Sequence, residues 1–225
     1  MAEESRQSRS HSAGEILSIK HDTITLTGEW GKCLGTIDRH GAALVWGLSG
    51  SGKSNGVMML AKELTAYGRV LYLSLEEGVS YSFQQTLRRC GMGECGSRFQ
   101  VLESCSFEEL NTRLFKKNSP EFIVIDSLQY MGLSYKNYKF LRAQFPNKLF
   151  ILASHAEGKN PKKGPAESIL YDAGIKIWIN GGMAFTRGRF FGPTGKAVIW
   201  PEKALDFYGR LDNEIENEKD EDIKG

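Results

Sequence analysis

Short β-branched and apolar runs alternate along this chain with longer stretches whose apolar positions recur at helical spacing. The runs are AALVWG (42–47), RVLYLSL (69–75), EFIVID (121–126), KLFILAS (148–154) and GIKIWIN (174–180). Near-continuous apolar runs predict strands buried on both faces, as in a parallel sheet covered by helices. Between the first two lies SNGVMMLAKELTAYG, a predicted helix with Gly68 placed as its C-cap. SYSFQQTLRRCG and SFEELNTRLFKKN predict further helices, each opening on a serine able to cap. NYKFLRAQFP predicts another, stopped by Pro146. After Ile179 the chain changes character, and MAFTRGRFFGPTGKAVIW reads as a β-hairpin around a Gly-Pro-Thr-Gly turn. The order of strand, glycine loop, helix, strand, helix, strand predicts a doubly wound α/β domain.

Composition narrows the class. The 225 residues suffice for one sizeable core. With 40% hydrophobic and 25% charged residues, the chain reads as a soluble domain. No apolar run reaches the roughly 18 residues of a membrane span. The opening MAEESRQSRSHSAGE has no apolar signal core, which points to the cytoplasm. Residues 1–14 and the acidic 211–225 read as solvated tails around a domain at 15–210. The formal net charge of +2 argues against wholesale polyanion binding but leaves room for a local basic patch. Cys90 and Cys95 form one C-x4-C pair without a second pair or a nearby histidine, so they read as ordinary side chains in a reducing compartment.

The chemistry starts at GLSGSGKS, residues 47–54, a complete G-x-x-x-x-G-K-[ST] pattern between a predicted strand and a predicted helix. Backbone N–H groups of Gly47, Ser49, Gly50, Ser51, Gly52, Lys53, Ser54 and Asn55 are placed to cradle the phosphates of ATP at a helix N-terminus. Lys53 is expected to reach the β- and γ-phosphates, and Ser54 to hold Mg²⁺. In FIVIDSLQ, four apolar residues precede Asp126, the expected second Mg²⁺ partner. LYLSLEEG ends a strand in Glu76 and Glu77. If that strand neighbours the phosphate-loop strand, a glutamate there orients and deprotonates an attacking water. FILASHAEG places His155 at a strand end on the same edge, able to contact the γ-phosphate. Arg187 and Arg189 alternate along a predicted strand and so point the same way. They suit a neighbouring subunit's phosphate better than their own.

Taken in order, the phosphate loop, SLEE, VIDS, SH and RGRFFGPTG resemble the core ATPase domain of the RecA/DnaB superfamily over roughly residues 30–200. YLSLEE is similar to the catalytic-glutamate segment of DnaB-type helicases and RadA/Sms proteins, and that alignment selects Glu76 over Glu77. VIDSLQ and SH also resemble RadA/Sms. RGRFFGPTG is similar to the K-x-R-x-G-P-x-G segment of DnaB-type rings, with one extra residue before Gly192. The likeness implies Arg189 as a finger across the subunit interface and Arg187 as its partner. It lacks the RadA/Sms zinc finger and protease-like domain and the DnaB collar, and so resembles the short RecA-like ATPases of phages and mobile elements. It implies a RecA-like P-loop ATPase with a mostly parallel sheet, flanking helices and a C-terminal β-hairpin.

Two expectations follow for the output of ATP hydrolysis. Lys159, Lys162 and Lys163 lie among glycine and proline just after His155, as a flexible basic loop for single-stranded DNA. Tyr135, Lys136, Tyr138 and Lys139 read either as a base-stacking mix or as a half-buried amphipathic helix. One reading is therefore an Mg²⁺-dependent, ring- or filament-forming homo-oligomer acting on single-stranded DNA in replication or recombination, as a helicase-like motor or annealing protein. The alternative is a regulatory ATPase of the same fold whose nucleotide state sets assembly or a protein partner. A small-molecule kinase is the weakest reading, because no lid-like arginine cluster lies between the strands.

Overall fold

The computed structural model describes residues 10–209. The acidic C-terminal tail lies outside the described residues, as does most of the expected N-terminal one. The chain opens with α1 (Ala13–Leu17), β1 (Thr23–Thr25), α2 (Gly28–Leu34) and β2 (Thr36–Asp38). The phosphate-loop unit follows as β3 (Gly41–Gly47) and α3 (Lys53–Leu64), then β4 (Val70–Ser74) and α4 (Tyr81–Arg89). Next come β5 (Phe99–Leu102), α5 (Phe107–Leu114), β6 (Phe122–Asp126), α6 (Leu128–Met131) and α7 (Tyr135–Gln144). The last third holds β7 (Leu149–Glu157), β8 (Asn160–Pro161), α8 (Pro165–Asp172), β9 (Ile175–Asn180), β10 (Met183–Thr186), β11 (Lys196–Val198) and α9 (Pro201–Tyr208).

The main sheet has nine strands, in the order β11-β10-β9-β3-β7-β6-β4-β5, with β8 paired to β7. From β9 to β5 along this path every pairing is parallel. β10 and β11 add the expected antiparallel hairpin, with Met183 opposite Val198. Burial on both faces explains the continuous apolar runs. Ala43 and Val45 of β3 face a core with α2, α3 and α4, whereas Ala42, Leu44 and Trp46 face a second core with α5, α7 and α8. Ser80 and Ser106 cap α4 and α5 as read from sequence, accepting from Phe83 N and Glu109 N.

Several local expectations shift. Gly68 is not the C-cap of α3: the helix ends at Leu64 with Thr65 as cap, and Gly68 N reaches back to Leu64 O at 3.2 Å. β4 does not neighbour β3, because β7 and β6 lie between them. α7 takes the half-buried form: Tyr138 is in the core, while Tyr135 stacks on it from the surface at 5.9 Å. All four cysteines are free, and burial pushes the Cys90 thiol up to about 11. Among the described residues no helix is long and apolar enough to cross a membrane.

Candidate nucleotide site

The parallel strands deliver their C-terminal ends to one edge, and the candidate residues collect there. After β3 the chain turns through Gly50 and Gly52, both at positive φ (72° and 99°), and enters α3. Gly52 is the N-cap and offers no side-chain acceptor, so the first N–H groups of α3 stay open to an anion. Gly47 is required by crowding: a Cβ there would lie 2.5 Å from Ile179 O and 2.6 Å from Ser51 Oγ. Ser49, Gly50, Gly52, Lys53, Ser54 and Asn55 line a cleft of about 530 Å³, together with Glu76, Glu77 and His155. Gly47 and Ser51 are buried and do not line it. Ser51 supports the loop from below, its carbonyl accepting from Gly182 N at 2.9 Å.

Lys53 and Asp126 face each other at 3.7 Å (Nζ to Oδ1), both about nine-tenths buried. Asp126 is held from behind by the Tyr72 hydroxyl, which donates to Oδ2 at 2.6 Å. Burial and then the Asp126 charge raise the Tyr72 hydroxyl well above its ordinary value, so it remains a donor. Asp126 Oδ1 is buried and has no hydrogen-bond partner. A carboxylate oxygen free of hydrogen bonds, with the Ser54 hydroxyl at the head of α3, is a donor set that fits a hard cation. Among the described residues no group of three or more His, Cys, Asp or Glu could hold a metal. Magnesium bound with a nucleotide needs only one or two protein oxygens, the rest coming from phosphate and water.

Glu76 reaches this edge by a route the strand order did not suggest. Past β4 the backbone stays bonded to the end of its neighbour β6, with Leu75 N and Glu76 N both donating to Asp126 O at 2.8 and 3.3 Å. The Glu76 carboxylate then meets His155, Oε2 to Nε2 at 3.0 Å. Burial acts to raise its pKa, but the hydrogen bond to His155 and the charge of Lys53 outweigh burial and hold it below the ordinary carboxylate range. Glu77 instead accepts from the Ser82 hydroxyl at 2.9 Å. His155 lies within β7, not at its end, and its N–H is held by Gln129 Oε1 at 3.3 Å.

Other expected residues are placed differently. The Asn55 side chain turns away from the phosphate loop: Nδ2 donates to Ile199 O, and Oδ1 accepts from Arg89 Nε at 2.7 Å. The lysine segment is a tight hairpin, not a flexible loop. β8 pairs with β7, Pro161 is buried, Trp46 Nε1 donates to Lys159 O at 2.9 Å, and Lys162 N donates to His155 O at 2.9 Å. Lys159, Lys162 and Lys163 are exposed on it. Arg187 and Arg189 lie beyond β10, which ends at Thr186, so they do not alternate along a strand. Single bonds continue beside β9, from Arg187 N to Lys176 O at 2.7 Å and from Arg189 N to Gly174 O at 3.3 Å. Thr186 Oγ1 then donates to Phe190 O at 2.7 Å, which turns the segment out of the ladder. Both arginines are exposed, the Arg187 guanidinium lies 5.2 Å from the Trp178 ring, and neither lines the cleft. Tyr72, Gln129, Arg89 and Trp200 were missed from sequence. The Gly181–Gly182 pair was the available hint for the last: a Cβ on Gly182 would lie 2.7 Å from Trp200 O.

No protein-family model matches the chain, and no curated protein matches it. Solved structures do. A KaiC-like protein from the hyperthermophilic archaeon Pyrococcus horikoshii OT3 superposes with a TM-score of 0.54 at 17% identity, covering 80% of this chain and 97% of that one. The likeness establishes the fold: a RecA-like α/β domain with a mostly parallel sheet between helices.

Proposed function

We propose that the chain is an Mg²⁺-dependent ATPase that works as a homo-oligomer on single-stranded DNA. One observation carries the ATPase reading: Lys53 and the Glu76–His155 pair line one cleft at the head of α3, and Asp126, buried, faces Lys53 with an oxygen that has no hydrogen-bond partner. The open N–H groups of α3 and Lys53 hold the β- and γ-phosphates. Ser54 and Asp126 would hold the magnesium ion, which when bound neutralises phosphate charge. Glu76, ionised at neutral pH, orients a water against the γ-phosphorus and takes its proton as the bond to the bridging oxygen breaks. His155 fixes one Glu76 oxygen and so orients the carboxylate. Arg189, with Arg187 beside it, serves the cleft of a neighbouring copy. The DNA reading is supported by the lysine hairpin, which is bonded directly to His155 O and to Trp46 beside Gly47.

A regulatory ATPase without DNA is the second reading, favoured by the fold shared with a KaiC-like protein. Steady-state ATP hydrolysis, with magnesium or a chelator and with or without single-stranded DNA across a salt series, separates the two. DNA stimulation that fades with salt supports the first. A magnesium-dependent rate indifferent to DNA but varying with protein concentration supports the second. No hydrolysis beyond that of Lys53→Ala would overturn both.

A further inference from the structure

Arg89 is exposed and yet fixed. Its Nε donates to Asn55 Oδ1 at 2.7 Å, and its Nη2 donates to Thr86 Oγ1 at 3.0 Å. Its guanidinium lies 4.1 Å from the centroid of the Trp200 ring. Among the described residues it forms no ion pair with a carboxylate. Holding a long side chain still costs rotamer entropy, and here two neutral acceptors and a ring face offset it. The outcome is a flat, preorganised cation with one face against Trp200.

Its position matters. Arg89 and Trp200 line both the phosphate cleft and a second cavity of about 780 Å³, and so form part of the wall between them. Trp200 stands beside the phosphate loop, its Cε3 only 3.7 Å from where a Cβ on Gly52 would be. Tyr81, Gln85 and Arg89 recur every four residues on α4, hence on one face, and all three line the cleft. An aromatic ring, an amide and a fixed guanidinium on one face suit an aromatic heterocycle with hydrogen-bonding edges.

Building on the phosphate-loop reading, we infer that this face seats the nucleobase. The base stacks on the outer face of Arg89, so that base, guanidinium and indole form one pile, and Gln85 reads the base edge. A purine offers the larger stacking surface, so the seat favours purine over pyrimidine triphosphates. Asn55 is a positioning residue: it touches no ligand with its side chain and acts by holding Arg89 and, through Ile199, the neighbour of Trp200.

Calorimetric titration of ATP, CTP and inorganic tripolyphosphate, each with magnesium, tests this on wild type, Arg89→Ala, Arg89→Lys and Asn55→Ala. The expected result is a roughly tenfold loss of ATP affinity in both Arg89 variants and collapse of the ATP-over-CTP preference, with tripolyphosphate binding retained. Asn55→Ala gives a smaller loss of the same kind, again sparing tripolyphosphate. Retained tripolyphosphate binding also shows that the variants are folded. An unchanged ATP-to-CTP ratio in Arg89→Ala would overturn the inference. An equal loss for tripolyphosphate would do so too, because Arg89 would then serve the phosphates. Failure of wild type to bind tripolyphosphate would instead strike the phosphate-loop reading, and this one with it.

Discussion

The two ends of the proposed active site differ in how they are built. The phosphate end is buried and self-contained: Lys53, Asp126 and Tyr72 are locked together at the edge of the parallel sheet. The arginine segment is exposed and lies in the connection between β10 and β11. It is secured at its base, where Gly192 N donates to Cys33 O and Thr194 N and Gly195 N to Lys32 O, all at the end of α2. A Cβ on Gly192 would lie 2.4 Å from Lys32 O, so only glycine allows that contact. Arg187 and Arg189 lie just before these anchors in the chain and do not line their own cleft. The phosphate end is completed within the fold, while the two arginines are exposed outside its cleft. Under the proposed function, that division fits a site shared between copies in a head-to-tail assembly.

The largest effect should come from breaking the buried end. Asp126→Ala leaves Lys53 charged and buried beside an orphaned Tyr72 hydroxyl. It should abolish hydrolysis and lower the unfolding free energy by about 3 kcal/mol in urea denaturation. A near-native midpoint would show that the pair is not the structural lock described. Next comes the outward end. Arg189→Ala should lower kcat about 10³-fold with its melting temperature unchanged, and mixing it with Lys53→Ala should restore activity. Without recovery on mixing, the two ends do not meet between subunits. A smaller effect is expected at the lysine hairpin. Neutralising Lys159, Lys162 and Lys163 should preserve the basal rate and reduce the salt slope of single-stranded DNA binding by about one per lysine lost. An unchanged slope would remove the hairpin from any DNA path.

The smallest shift sharpens the chemistry. His155 holds the Glu76 carboxyl low, so Glu76 stays ionised further into acid. Removing that hydrogen bond lets its pKa rise. The acid limb of kcat/KM for the residual activity of His155→Ala should therefore move to higher pH. An unmoved limb would mean that Glu76 is not the titrating base.

How much of this was legible follows the same division. The strands β3, β4, β6, β7 and β9 were readable because burial on both faces leaves a continuous apolar run. β1, β2 and β5 were not, being three or four residues long and partly exposed. The phosphate loop was readable because its chemistry is contiguous in the chain. For Asn55 the pattern speaks to the backbone N–H but not to the side chain, which is bonded to Arg89 and Ile199 from distant segments. The strand order was not readable, and Glu76 reaches the site because β4 pairs with β6 and stays bonded to Asp126, which no local pattern encodes. The arginines read as strand residues because Arg187 and Arg189 sit two apart in a segment that reads as a β-hairpin. A turn held by Thr186 and Phe190 overrides that reading.

Single-turnover ATP hydrolysis by Glu76→Gln beside wild type, with ATP affinity measured on the same samples, tests the central claim most directly. The predicted result is unchanged or tighter ATP binding with the chemical step slowed about 10³- to 10⁴-fold, because the amide keeps the shape but cannot take the proton. Hydrolysis by Glu76→Gln at the wild-type rate would contradict the assignment of this cleft as a Glu76-dependent ATPase site.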